Sequence, residues 1–294
     1  MSSKVIEFYQ KKLSEIKNLP TLPVIATEIM RITRNDSYSA RQIQTVIEKD
    51  PPLAMQVLRV ANSAYYAQKK PVKSLRHAVV VVGMRQLSNI AISFSVLKRF
   101  DTKNSNLKWE KFWEHCIAVG FVAEMLVDEY DIITKESPYT MGLLHDIGKL
   151  VLNLIDPGKY YEVYARVKNE KMSFYNAEKE LLNITHCAIG KMLAENWKMS
   201  DELVDVVFNH HSPSESAEGN RLVNSVIEIS DHICNINGIS FGTDFDMESL
   251  PVPDSWEYIQ SSVRELNNKE YEEFLQEMKP QLDSISEMVK LIQV

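Results

Sequence analysis

The sequence predicts an all-α protein, and three observations predict it. Apolar residues recur at three- and four-residue steps almost throughout the chain. The break Asp50-Pro51-Pro52 reads as a helix start, because proline is tolerated in the first turn of a helix and not in its interior. The β-branched run at 79–82, which propensity alone would assign to a strand, is short and lies between helical patterns around Leu75 and Leu87; it reads as a buried helix.

Taken in order, Ile25, Ile29 and Ile32 mark a first helix after Pro23, and Ile43, Val46 and Ile47 a second that stops at Asp50. Leu53, Val57, Leu58 and Val60 follow, ending near Asn62, and Leu87, Ile90, Ala91, Phe94 and Leu97 belong to a longer helix. The polar stretch from Asp101 to Asn106 has no periodicity and is the best candidate boundary. Beyond it, helical patterns cover 107–130, 139–154, 160–167, 184–197, 200–210 and 219–235. A second linker, 237–253, is rich in glycine, proline and acids. The last pattern, Phe274, Met278, Leu282, Ile285, Met288 and Ile292, contains Pro280, which should kink or split it. Three segments follow: an N-terminal helical subdomain over 1–106, a metal-binding helical subdomain over 107–237, and a linker with C-terminal helices over 238–294.

Composition narrows the function. With 294 residues, 45% hydrophobic and 25% charged, the chain is expected to be globular. A net charge of −7 argues against binding a nucleic-acid duplex, which needs a basic face; the one basic cluster, Lys69, Lys70, Lys73 and Arg76, reads as a solvated loop and helix start. The first seventeen residues lack the apolar core of a signal peptide, and no apolar run has membrane-spanning length. Cys116, Cys187 and Cys234 have no CxxC spacing and read as reduced, buried residues, so a cytoplasmic location is expected.

The seven histidines are informative by placement. His145 and Asp146 are adjacent within the apolar segment Met141-Gly142-Leu143-Leu144-His145-Asp146-Ile147-Gly148-Lys149-Leu150. Burying an imidazole beside a carboxylate is unfavourable unless both have partners, and a divalent cation is such a partner. Adjacent helical residues point about 100° apart, so the two reach one ion only if the helix passes close beside it. A carboxylate can bridge two ions through its two oxygens, which makes Asp146 the natural bridge. His115, His186, the pair His210-His211 and Asp231 lie on other predicted helices, as in bundles that build metal sites in their cores. Singly, each histidine is more often a hydrogen-bonded core residue, and His77 and His232 are read as that or as simply exposed; jointly, the set is hard to explain that way. Cys116 and Cys187 each follow a candidate ligand by one residue and should point away from it, while Cys234 lies one turn after Asp231.

The order His, His-Asp, His, His-His, Asp resembles the HD-domain phosphohydrolase superfamily, its two-metal branch in particular. Upstream, Leu19-Pro20-Thr21-Leu22-Pro23, Asp50-Pro51-Pro52-Leu53, Leu58 to Tyr66 with its Asn62-Ser63-Ala64 core, Ser74-Leu75-Arg76-His77-Ala78 and Gly83 narrow the resemblance to the HDOD (HD-related output domain) family, and Trp197-Lys198-Met199-Ser200 continues it. The similarity covers roughly residues 15–240 and implies a multi-helix HD-like bundle preceded by a smaller helical N-terminal subdomain, acting as a bacterial signalling module. Many members of the family have lost the ligand set; here it is complete. Ser212-Pro213-Ser214-Glu215 follows the histidine pair and no Gly-Tyr-Pro occurs, so the cyclic di-GMP specificity of the related HD-GYP enzymes does not carry over.

The resemblance implies that His115, His145, Asp146 and Asp231 hold one metal, and that Asp146, His186, His210 and His211 hold the second. Two divalent transition-metal ions are expected; this ligand chemistry suits iron, manganese, zinc or nickel without choosing among them. Such a pair generates a hydroxide near neutral pH, and Lys149, one turn beyond Asp146, would add a cation to the developing charge. Thr185 and Asn209 are weaker candidates as donors to the ligands. The leading functional expectation is a signalling protein with a retained dinuclear site; the alternative is an active phosphohydrolase on a nucleotide or cyclic nucleotide. A signalling protein or a small phosphate-containing ligand is the expected partner. The C-terminal amphipathic stretch could pack on the core, form a homodimer or bind a partner, core packing being the commonest case.

Overall fold

The computed structural model describes residues 3–16, 21–35, 37–100, 107–242 and 252–293, and every regular element among them is helical. In chain order these are α1 (Ser3–Glu15), α2 (Val24–Thr33), α3 (Ala40–Ile47), α4 (Pro51–Ala61), α5 (Leu75–Val82), α6 (Met84–Arg99), α7 (Trp109–Glu129) and α8 (Pro138–Leu144). They continue with α9 (Ile147–Ile155), α10 (Pro157–Glu170), α11 (Phe174–Leu182), α12 (His186–Asn196), α13 (Asp201–Asn209), α14 (Arg221–Ile236), α15 (Ser255–Ser262) and α16 (Tyr271–Gln293), with short 3-10 turns between some of them. Leu19, Pro20, the boundary stretch Asp101 to Asn106 and most of the second linker lie outside the described residues.

Local chemistry fixes many of the starts. Ser39, Asp50, Ser74, Ser137, Asp156, Ser173, Thr185 and Ser200 each stand one residue ahead of a helix and accept a backbone N–H of its first turn. Asn62 closes α4: its side-chain amide donates to the carbonyls of Leu58 and Val72, both at 2.8 Å, and accepts the Val72 N–H at 2.7 Å. The Asn-Ser-Ala-Tyr-Tyr segment therefore includes a structural cap. Gly83, at φ +89°, turns the chain between α5 and α6, which are bent by 114° relative to each other. That bent pair has the length and composition of a broken span, but no single helix among the described residues is long and apolar enough to cross a membrane.

The chain forms two compact units. One comprises Met1–Leu19 and Thr102–Pro280, the other Pro20–Asp101 and Gln281–Val294. Neither unit is continuous in sequence. α1 belongs with the unit containing α7 to α15, where Tyr9 is buried. The last turns of α16 belong with α2 to α6: Tyr65 Oη and Ser284 Oγ are 2.8 Å apart, Tyr66 donates to Met288 Sδ, and Val289 and Ile292 are buried. Pro280 does not split α16, which runs through it, and the division between the units falls at that proline.

Three further expectations change. The run at 79–82 is helical, but only Val82 is buried and Val80 is 79% exposed. α11 falls where no helix was expected. The pattern at 139–154 is two helices, because the backbone leaves α8 at His145 and re-enters α9 after Asp146, which sits at φ −98°, ψ 8°. That is the sparsely populated bridge region common at functional residues.

Glycines set the spacing of the helices around this break. A Cβ on Gly142 would stand 2.6 Å from Gly120 Cα, so α8 crosses α7 at backbone contact. A Cβ on Gly148 would collide with the His186 carbonyl and lie 2.8 Å from Gly190 N, so α9 meets α12 in the same way. We expect Gly148→Ala to destabilise the protein by about 1–3 kcal/mol through overpacking. Denaturant melts with a wild-type midpoint would contradict this packing account.

Candidate metal centre

Five helical elements bring the polar residues together in the core. His115 comes from α7, His145 and Asp146 from the break between α8 and α9, His186 from the first turn of α12, His210 and His211 from the end of α13, and Asp231 from α14. His115, His145, Asp146, His186 and His210 are each no more than 2% exposed, and the Asp231 side chain is 15% exposed. The break explains how neighbours in sequence reach one point: with the helix interrupted, His145 Nε2 lies 3.4 Å from Asp146 Oδ2.

Asp146 stands between two sets of imidazoles. Its Oδ2 is 3.4 Å from His145 Nε2 and 3.9 Å from His115 Nε2. Its Oδ1 is 3.1 Å from His186 Nε2 and 3.6 Å from His210 Nε2. Asp231 Oδ1 joins the first set, 2.9 Å from His115 Nε2 and 3.8 Å from His145 Nε2. His211 lies with the second, its ring centre 4.2 Å from that of His210 and 5.2 Å from that of His186.

The outer nitrogens are committed. His115 Nδ1 faces the Ile239 carbonyl at 2.8 Å, His145 Nδ1 the Gly142 carbonyl at 2.6 Å, and His210 Nδ1 the carbonyls of Val206 and Val207 at 3.2 Å. His186 Nδ1 faces a carboxylate, Glu178 Oε2, at 2.7 Å, and the same oxygen accepts the His186 backbone N–H at 2.6 Å. In the neutral ring the carbonyl or carboxylate accepts a hydrogen bond from Nδ1–H, which puts the lone pair on the inward Nε2; His186 Nε2 and His210 Nε2 lie 3.3 Å apart. Buried His145 Nε2 and Asp146 Oδ1 have no hydrogen-bond partner of good geometry. Inward lone pairs, unsatisfied polar atoms and a buried carboxylate between them fit a divalent cation.

Burial and neighbouring charge divide the titrating groups. Burial opposes ionisation of Asp146, but Lys149, His145 and His186 hold its carboxyl well below the usual range. Asp231 is likewise held low against burial by His115. Burial pushes His210 down to about 4 and lowers His211 as well. For His186, burial lowers the pKa, yet Cys187, Glu178 and Asp146 outweigh it and raise it well above the ordinary value; Asp231 and Asp146 raise His115 in the same sense.

Lys149 is buried; its Nζ donates to Asp146 Oδ2 at 2.5 Å and stands 4.8 Å from the centre of the Phe174 ring. Thr185 and Asn209 do not bond to the candidate ligands: Thr185 caps α12 and Asn209 donates to Asp205 Oδ1 at 2.6 Å. His77 is exposed, and His232 pairs with Tyr271 Oη at 2.7 Å. One expectation is overturned. Cys187 does not point away: its Sγ and a nitrogen each of His186, His210 and His211 all lie within 4.8 Å of one another. Both residues sit in the first turn of α12, which packs against α13, the helix that ends at His210 and His211.

Sequence reasoning missed Glu178, which is fully buried and also accepts from Tyr160 Oη at 3.1 Å. A signal was available, since Glu178 falls four residues after Phe174 on the buried stripe of α11. It also missed a cavity of about 430 Å³ that opens beside His211 and Cys187, with Tyr175, Lys179 and Phe208 on its walls.

Comparison with known proteins agrees with this architecture. A Geobacter sulfurreducens protein described as an HDOD domain protein of unknown function superposes with a TM-score of 0.81 at 23% identity, covering 98% of each chain. A Marinobacter aquaeolei protein provisionally described as a signal transduction protein superposes with a TM-score of 0.77 at 21% identity, over 99% of this chain and 66% of that one. A Shewanella amazonensis protein provisionally described as a phosphohydrolase does so with a TM-score of 0.68 at 23% identity, over 96% and 97%. In sequence, an uncharacterised protein of Treponema pallidum is 24% identical over 213 residues, and this chain spans 41% of its length. At these identities the superpositions establish the fold, and the family follows from the HDOD domain match over residues 19–213, which takes in α2 to α13, the break between α8 and α9 and the histidine pair: the chain belongs to the HDOD domain family.

Proposed function

We propose that the chain is a bacterial signalling protein whose HDOD fold retains a dinuclear divalent-metal centre. His115, His145 and Asp231 would hold one ion, His186, His210 and His211 the other, with Asp146 between them. The observation that carries this reading is the two-sided placement of Asp146, with Oδ2 toward His145 and Oδ1 toward His186. Imidazole nitrogens with carboxylate oxygens suit iron, manganese, zinc or nickel at both positions.

A second reading, hydrolysis of a phosphate ester such as a nucleotide or cyclic nucleotide, is favoured by the cavity beside His211, which is of ligand size. Bound divalent ions would supply an activated water and screen phosphoryl oxygens. The chain's part would be to keep Asp146 ionised, hold the Nδ1 protons outward and present the Lys149 ammonium near the same carboxylate. In either reading the natural partner is a small phosphate-containing ligand or a signalling protein that senses the state of the centre; a cytoplasmic site of action and a homodimer complete the proposal.

Asp146→Ala should remove metal from both positions, and metal analysis after dialysis that finds full content would sink the bridging assignment. Glu178→Ala should weaken metal retention about 10–100-fold. Glu178→Gln, which keeps an oxygen for both His186 N–H groups, should lose less; equal losses would place Glu178 in a purely electrostatic role. His186 carries a raised pKa and must be neutral to ligate, so metal binding near pH 7 should release a proton and tighten as pH rises. Calorimetry in buffers of differing ionisation enthalpy that detects no proton release would count against His186 as a ligand. A screen of model phosphodiesters and nucleotides with metal-loaded protein separates the readings, since two bound metals without turnover would leave the signalling role alone.

A further inference from the structure

We propose that the second position is a nitrogen–sulfur site in which Cys187 Sγ ligates beside His186, His210 and His211, making it the softer of two unequal metal positions. The proposal rests on the metal-centre reading above. Among the described residues, the donor atoms able to hold a cation fall into two groups. One is His115, His145 and Asp146, two nitrogens and an oxygen, with Asp231 at 2.9 Å from His115. The other is His186, Cys187, His210 and His211, three nitrogens and a sulfur, all within 4.8 Å of one another. Cys187 is a free thiol only 2% exposed, so its gathering with three imidazoles is not a surface coincidence. Cys116 and Cys234 are also free and buried, yet neither joins a donor group.

The position of the four donors follows from the chain. Thr185 caps α12 and places His186 and Cys187 together in its first turn, opposite the end of α13 that carries His210 and His211. With Asp146 Oδ1 as a fifth donor, zinc would need about 2.0–2.1 Å to nitrogen and about 2.3 Å to sulfur, closer than the present spread. The adjustment falls on Cys187 and His211, which both border the cavity of about 430 Å³ and have room to turn on that side. Thiolate favours softer ions than carboxylate does, so zinc or iron(II) would settle at the Cys187 position, while the imidazole and carboxylate position accepts harder ions such as manganese. A centre of mixed metal content follows.

The test is cobalt(II) substitution of the full chain under anaerobic conditions. Visible ligand-field bands report that cobalt is bound, and a near-ultraviolet sulfur-to-cobalt charge-transfer band reports a thiolate ligand. Wild-type protein should show both. Cys187→Ser should keep the visible bands and lose the charge-transfer band, whereas Cys116→Ser and Cys234→Ser should keep both. Cobalt bound to wild-type protein without the charge-transfer band overturns the sulfur ligand and leaves the metal centre standing; so does a Cys187→Ser protein that retains the band. No cobalt binding at all removes the metal-centre reading and this proposal with it. In a chelator competition, Cys187→Ser should hold zinc about tenfold or more weakly than wild type, at least the cost of losing an outer partner; unchanged retention counts against the sulfur ligand.

Discussion

Asp146 carries its charge at a point where only 1% of the residue meets solvent, and the surrounding chemistry is arranged around that fact. An ionised carboxylate out of water is tolerated only with close positive charge or strong donors. Lys149 provides one such charge on the Oδ2 side, and the imidazoles approach from both sides. The outer nitrogens of those imidazoles are in turn held by main-chain carbonyls and by Glu178, so each ring is oriented by the helix that carries it or by its neighbour. The aromatic residues Trp109, Phe112, Tyr160, Phe174 and Phe241 pack on one another around this region and keep its dielectric low, which strengthens every one of these interactions.

Holding donors from five elements in one place requires close control of helix spacing. The glycine contacts supply it. Gly120 against Gly142, and Gly148 against Gly190 and His186, bring backbones to the smallest separation two helices can have, where neither can slide without a clash. The same contacts flank the break at His145-Asp146 on both sides. Spacing set by backbone rather than by long side chains leaves little rotameric slack, which suits a site whose donor atoms must converge from different parts of the chain.

Much of this was legible in the sequence. Histidines and aspartates inside apolar patterns marked the cluster, and the helical period gave the fold class. What local pattern could not carry was of three kinds. The segment around His145 keeps a continuous helical spacing on both sides, so nothing in its periodicity reports that the backbone turns aside for two residues. Glu178 lay in a short helix whose pattern was too brief to stand out, and the approach of Cys187 to the histidines depends on how α12 meets α13. The regrouping of the chain ends rests on contacts such as Tyr65 with Ser284, 219 residues apart, which leave no local trace.

That regrouping bears on how the chain acquires its structure. The helices of 20–101 are made before 102–280 of the other unit, but the segment that completes their unit, 281–294, is made only after it. Domains usually fold as units in order of synthesis. Here the unit begun first is completed only after the other has been made, because the buried Val289 and Ile292 belong to 281–294. The closing of so long a loop raises contact order and slows the final step. Loss of 281–294 would therefore strike the helices of 20–101 first, while the residues around Asp146 lie in the other unit.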